Sequence, residues 1–353
     1  MESKAKDPMN KGALNSESML IVSSTPHLRS DESVKRIMLD VIIALIPAAI
    51  GSVYFFGINA LKLILISVAS ALFFEAAIQK MFKKEVTIND YSAIITGMLL
   101  AFNLPVNSPW WIPVFGSGFA IIVVKQFFGG LGSNFMNPAL AARAVLVVSW
   151  PGIMTNYVLP GVDSLTGATP LAMLKHGFVD GTATATVTEA GIQLPTLMDM
   201  FAGNIGGSIG ETSALLLLIG GLYLIIRKVI NWKMPVVYIG TTAIFLLLLG
   251  VSTDHIMYHL LGGGLILGAF FMITDYASTP VNPTGQLIVA VGAGILTALI
   301  RVKGGFPEGV SYSILLMNVA TPLIEKFTAP KIFGREDTGL LGKSKNKSEG
   351  GAK

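Results

Sequence analysis

The sequence has no cysteine, only 13% of its 353 residues are charged, and only four are histidine. Without thiols the chain can supply no disulfide, no thiolate ligand for an iron–sulfur cluster and no cysteine nucleophile, so any such cluster belongs to a partner. His27, His176, His255 and His259 are scattered, and one pair at helical spacing is a poor basis for bis-histidine haem ligation. The first 35 or so residues contain no apolar run, which predicts a cytoplasmic leader and no cleavable signal peptide. What charge there is amounts to +4, carried mostly by residues flanking apolar segments. That distribution does not argue for a nucleic-acid partner.

What the chain has instead is hydrophobicity, at 52%, in recurring runs of roughly 20 residues. A soluble core is excluded, and an all-α polytopic membrane protein embedded in a lipid bilayer is expected. Ten apolar segments can be read, at 37–56, 59–79, 91–104, 111–128, 137–150, 212–226, 235–251, 257–274, 284–300 and 310–325. Segments 91–104 and 137–150 would each rise only about 21 Å, short of a hydrocarbon core of about 30 Å, and end in proline-containing turns. They read as half-membrane helices, tolerated only where protein or water lines the gap.

Threading from a cytoplasmic N-terminus puts all but five of the 25 basic residues on one side, the exceptions being Lys62, Arg143, Lys175, Arg301 and Lys303. The connection 151–211 holds Lys175 alone against Asp163, Asp180, Glu189, Asp199 and Glu211, so the positive-inside rule places it outside. Arg301 and Lys303 break that rule. Pro105-Val106-Asn107 recurs as Pro280-Val281-Asn282, and Gly129-Gly130 as Gly304-Gly305, at one common offset. A duplication with five segments in each half must invert the second copy. The expected organisation is a leader 1–36, a first membrane repeat 37–150, an extracytoplasmic loop 151–211, a second repeat 212–326 and a cytoplasmic tail 327–353.

Within that loop stands Asp163-Ser164-Leu165-Thr166-Gly167-Ala168-Thr169-Pro170. Locally, Gly167 suits a turn, Thr169 a helix N-cap and Pro170 the first helical position, a sufficient structural account. The stretch also matches D-x-x-[S/T]-G-A-T, the pattern at which a flavin transferase esterifies FMN to the last Thr. In a polytopic chain this resembles the D subunit of the Rnf complex and the related B subunit of the Na+-translocating NADH:quinone oxidoreductase. The segment from Pro26 to Arg36 is similar to the entry segment of such subunits. The resemblance implies a prokaryotic cell-membrane protein with covalent FMN on Thr169 and Asp163, Thr166, Gly167 and Ala168 as the rest of its recognition motif. It implies partner subunits that carry iron–sulfur clusters, FMN and an NAD site, together with the flavin transferase.

Gly129 to Pro138 reads as a glycine-rich turn that opens a short helix, with Asn137 as its cap. By the resemblance, Asn134 and Asn137 would contact a non-covalent riboflavin. Asp40, Glu75, Lys125, Arg143 and Asp275 fall inside apolar segments, where a charge is costly enough to be a functional candidate. Snorkelling is the plain alternative for Glu75, and a carboxylate on a neighbouring helix for Arg143. By the resemblance Glu75 and Asp275 would lie on a Na+ or H+ path, and as unpaired acids they would tolerate neutral isosteres. The turn 206–213 looks like a phosphate nest without its lysine and receives no catalytic role. Three other classes stay open: the B subunit of the quinone reductase, a non-redox secondary transporter or channel, and a passive scaffold.

Overall fold

Helix α1, Val34–Phe56, begins three residues before the first apolar segment and runs through Pro47. Its 23 residues rise about 34 Å, enough to cross a bilayer. The computed structural model describes residues 33–158, 160, 169–178, 194–211 and 213–329. Helix α2 covers Ile58–Met81, α3 Ser92–Phe102, α4 Trp111–Gln126, α5 Pro138–Ser149 and α6 Pro151–Met154. Then come α7, Pro170–Phe178, and α8, Leu197–Ala202. The second half holds α9 Ala214–Ile226, α10 Lys233–Leu248, α11 Thr253–Leu261, α12 Leu265–Met272, α13 Pro283–Lys303 and α14 Val310–Thr328. No strand occurs among the described residues.

Each of the ten expected segments meets a helix, and the protein is a multi-pass helical membrane protein. Helices α1, α2 and α13 are long and apolar enough to cross a membrane, and α11 with α12 passes as one span bent by 60°. The segment 257–274 is therefore two pieces rather than one. Gly263 and Gly264 make the break, both at positive φ, and a Cβ on Gly264 would lie 2.4 Å from Glu211 Oε1. Only glycine fits there.

Broken helices leave bare carbonyls, and both breaks are satisfied by the protein itself. At the end of α3, Gly210 N–H donates to Phe102 O at 3.0 Å and Ile209 N–H to Leu104 O at 2.9 Å. At the end of α11, Arg301 donates to the carbonyls of His259, Gly262 and Gly263. Buried in this role, Arg301 is not a loop charge, which explains its breach of the positive-inside pattern.

Small residues let helices approach closely in a bilayer. Gly220 of α9 sits so near α1 that a Cβ would lie 2.0 Å from Ala44 O. The partners α1 with α9, α10 with α13, α13 with α14 and α5 with α14 hold the bundle together. Corresponding elements recur, since α2 begins at 58 and α10 at 233, and α5 at 138 and α14 at 310. Arg143 of α5 donates to Asn103 Oδ1 at 2.6 Å, and Asn318 of α14 to Ser278 O at 3.1 Å. Both members of the second pair lie 175 residues beyond those of the first, the offset of the repeated tripeptide.

Candidate functional site

Thr169 is the N-cap of α7, with Pro170 as the first helical residue. Its Oγ accepts from Ala172 N–H at 3.2 Å, and its carbonyl from Met173 N–H at 3.0 Å. An oxyanion bonded to that Oγ would face the free N–H groups and positive dipole end of the helix. Asp163, Thr166, Gly167 and Ala168 lie outside the described residues.

Helix α7 is anchored by its own lysine, because Lys175 Nζ donates to Gly304 O and to Phe306 O at 2.8 Å, just past the end of α13. Burial holds its ammonium below the ordinary lysine value. Its first turn is seated on the α11–α12 break, where a Cβ on Gly263 would lie 2.3 Å from Leu171 Cδ1. Elsewhere in the same connection Asp199 caps its own helix with Thr196, whose hydroxyl donates to it at 2.6 Å and holds its carboxyl below the ordinary value.

At the other end of α13, beside its first turn, lie Asp275 and Tyr276. Here the structure gathers residues far apart in sequence around one cavity of about 810 Å³. Asn134, Asn137, Lys125, Ser92, Thr96 and Asp275 supply its polar wall, and Ile95, Leu99, Phe270 and Phe271 its apolar one. Asn137 caps α5 as expected, accepting from Ala139 N–H at 3.1 Å and Leu140 N–H at 3.3 Å, and its amide donates to Met272 O at 3.5 Å. Asn134 donates to Met136 O at 3.1 Å and lies against the Asp275 carboxylate. Asp275 accepts from Ser278 Oγ at 3.1 Å.

Lys125 joins this wall to Glu75. Its Nζ is 2.7 Å from Glu75 Oε1 and 2.6 Å from Ser92 Oγ, and Ser92 in turn donates to Asp90 at 2.6 Å. Gln126 also donates to Glu75 Oε1, at 2.9 Å, while Glu75 Oε2 is buried without a partner. The side chains of Glu75 and Lys125 are 1% and 2% exposed. Two expectations fall with this geometry. Glu75 does not snorkel, and it is not an unpaired acid whose neutral isostere is harmless, because losing it strands a buried ammonium.

Two stretches of i→i−5 bonding deliver these side chains. Phe119–Gln126 ends α4 in π-helix, with Phe127 N–H reaching Ile122 O at 3.0 Å, and Gly268–Met272 of α12 does the same, with Ile273 N–H reaching Gly268 O at 2.8 Å. The first turns Lys125 and Gln126 toward Glu75, and the second presents Phe270 and Phe271 to the cavity. Such segments concentrate at functional sites. Hydrophobic periodicity over so few residues does not distinguish them from α-helix.

Arg143 does meet carboxylates, as one reading of it expected, but they stand on the turns before α9 and α14, and sequence reasoning did not identify them. Arg143 Nη1 lies 2.7 Å from Glu211 Oε1, its Nη2 pairs with Glu308, and Tyr157 donates to Glu308 at 3.2 Å. Glu211 thus leaves the start of α9 to a serine cap, Ser213, which accepts from Leu216 N–H at 3.4 Å. Asp40 is likewise paired, to Arg227 at 3.0 Å and Tyr223 at 2.8 Å. No group of three His, Cys, Asp or Glu arranged for a metal ion occurs among the described residues.

Residues 21–334 match the model of a family described as the NQR2, RnfD, RnfE family. The chain is 56% identical over 318 residues to the D subunit of the Na+-translocating ferredoxin:NAD+ oxidoreductase complex of Acetobacterium woodii, covering 89% of this chain and 95% of that protein. It is 48% identical over 325 residues to the D subunit of the proton-translocating ferredoxin:NAD+ oxidoreductase complex of Clostridium ljungdahlii, covering 90% and 97%. With the D subunit of an ion-translocating oxidoreductase complex of Stutzerimonas stutzeri it shares 38% identity, over 87% of this chain and 94% of that one.

Proposed function

We propose, from the premise that this chain belongs to the NQR2, RnfD, RnfE family, that it is the D-type membrane subunit of an ion-translocating ferredoxin:NAD+ oxidoreductase. In this reading Thr169 carries FMN through a phosphoester, riboflavin occupies the cavity at Asn134 and Asn137, and Glu75 and Asp275 contribute to the ion path. The three relatives named above are D subunits, which favours that type over the B type of the quinone reductase. One is named for Na+ and another for protons, so family membership leaves the coupled ion open.

The observation that carries the reading is the presence of two candidate flavin sites at opposite ends of α13. Twenty-one residues of helix separate Lys175's carbonyl partner from the Asp275 turn by about 30 Å, the thickness of a hydrocarbon core. Flavins at the two ends would give electrons stations on both sides of the membrane. The cavity also fits riboflavin by its chemistry, with amide donors and a carboxylate on one wall and aromatic rings on another. A bound flavin supplies the electron transfer, and the protein supplies placement and electrostatics. The elements and the residue pair that recur between the two halves support a reading of inverted repeats of five segments meeting at the midplane.

Purified protein should release one flavin on denaturation and retain another. Asn134→Leu, which removes an amide from the cavity wall, should lose the released flavin and keep the fluorescent band of the attached one. Equal release from variant and wild type would leave the cavity without its assigned occupant. Orientation is testable because the chain has no native cysteine. Ser164→Cys should react with a membrane-impermeant thiol reagent in intact cells. Reaction only after the membrane is opened would place the Thr169 loop in the cytoplasm.

A further inference from the structure

A second large pocket, of about 930 Å³, opens beside α7 and is lined by Lys175, His259, Arg301 and Lys303 among the apolar residues at the ends of α10 and α13. None of its lining residues is acidic. Two of its side chains carry unmet hydrogen-bonding capacity. His259 is 6% exposed, yet neither ring nitrogen has a partner, and Arg301, 2% exposed, leaves its Nε unpaired while its other nitrogens hold the α11 carbonyls. Buried polar atoms are normally satisfied, so orphans on two side chains of one pocket point to a polar ligand there.

The charge on the wall sets the ligand's sign. Three cationic side chains, none of them ion-paired to a carboxylate among the described residues, favour an anionic group, or one that gains negative charge. The position of the pocket sets its source. Lys175 stands on the same short helix that Thr169 caps, six residues or about 9 Å of rise away. The first turn of that helix rests on Gly263, whose carbonyl Arg301 engages.

We propose that this pocket seats the isoalloxazine ring of the flavin borne by Thr169, with His259 hydrogen-bonding its polar edge and Lys175, Arg301 and Lys303 favouring its reduced, negatively charged form. The seat rests on the FMN attachment argued above, and the two can fail separately. Arg301 is a positioning residue as well, because it holds the end of α11. Lys303 is exposed and offers the variant least disturbing to the fold.

The test uses the full-length chain, flavinylated by co-expression with its transferase and carrying Asn134→Leu so that the attached flavin alone is read. Lys303→Met and His259→Leu should keep the fluorescent gel band at wild-type intensity. A dithionite titration with redox dyes should then show a more negative midpoint potential in Lys303→Met, as expected when a cation leaves a reduced anion. His259→Leu should raise the quenching of flavin fluorescence by acrylamide at least twofold, because the ring loses its polar anchor. A bright band with unmoved potential in Lys303→Met and unmoved quenching in His259→Leu would overturn the seat and leave the attachment intact. A dark band from the parent protein would overturn the attachment and the seat with it.

Discussion

Thr169→Val yields a folded subunit whose band on a denaturing gel is dark under ultraviolet light, whereas the parent band fluoresces. The effect is all or none, because valine keeps the branched shape and removes the only oxygen at which the phosphoester can form. Folding should survive the change. The cap hydrogen bond from Ala172 is lost, at a cost of about 1 kcal/mol, while Pro170 still begins α7 and Lys175 still ties it to the end of α13. Mass analysis of the parent's fluorescent peptide should find the FMN increment on Thr169. A variant band that still fluoresced would move the flavin elsewhere and remove the basis of the proposed electron route.

Glu75→Gln should destabilise the protein by roughly 3–5 kcal/mol, the usual penalty for removing one member of a buried ion pair. Lys125 would be left as a buried ammonium with only Ser92 and the new amide oxygen against it. Lys125→Met alone should cost a similar amount, since Glu75 would keep Gln126 and lose its counter-ion. The double substitution should recover much of the loss, because two neutral side chains need no compensation. Heating in detergent followed by fluorescence-detected size-exclusion chromatography would rank the four proteins. If Glu75→Gln and the double variant both match the parent, the pair is not closed in the membrane. Asp275→Asn differs, since the carboxylate there has hydroxyl and amide neighbours rather than a bonded cation, and the variant should assemble normally. Its value is as a probe of cation dependence of turnover, which a change at the cavity wall should weaken.

The membrane class, the places of the helices, the caps at Thr169 and Asn137 and the repeat offset were legible in the sequence. Each follows from local chemistry: a run of apolar residues, a Thr-Pro or Asn-Pro pair, a recurring tripeptide. What the sequence determined about charge was only which residues stand in apolar segments. Which of them meet was settled by the tertiary structure, since Glu75 and Lys125, or Arg143 and its two glutamates, lie on different elements and touch only because of how those elements face one another. The same holds for Arg301, an exception to the positive-inside pattern in the sequence, to which the carbonyls of a broken helix give a partner. Asn134 and Asp275 share one cavity only after two halves of the chain pack together, and the two π-helical stretches bring Lys125, Phe270 and Phe271 to its wall. Periodicity records which side of a helix is apolar, but the registry between helices is decided by close packing at glycines such as Gly220 and Gly264, and packing exists only in three dimensions.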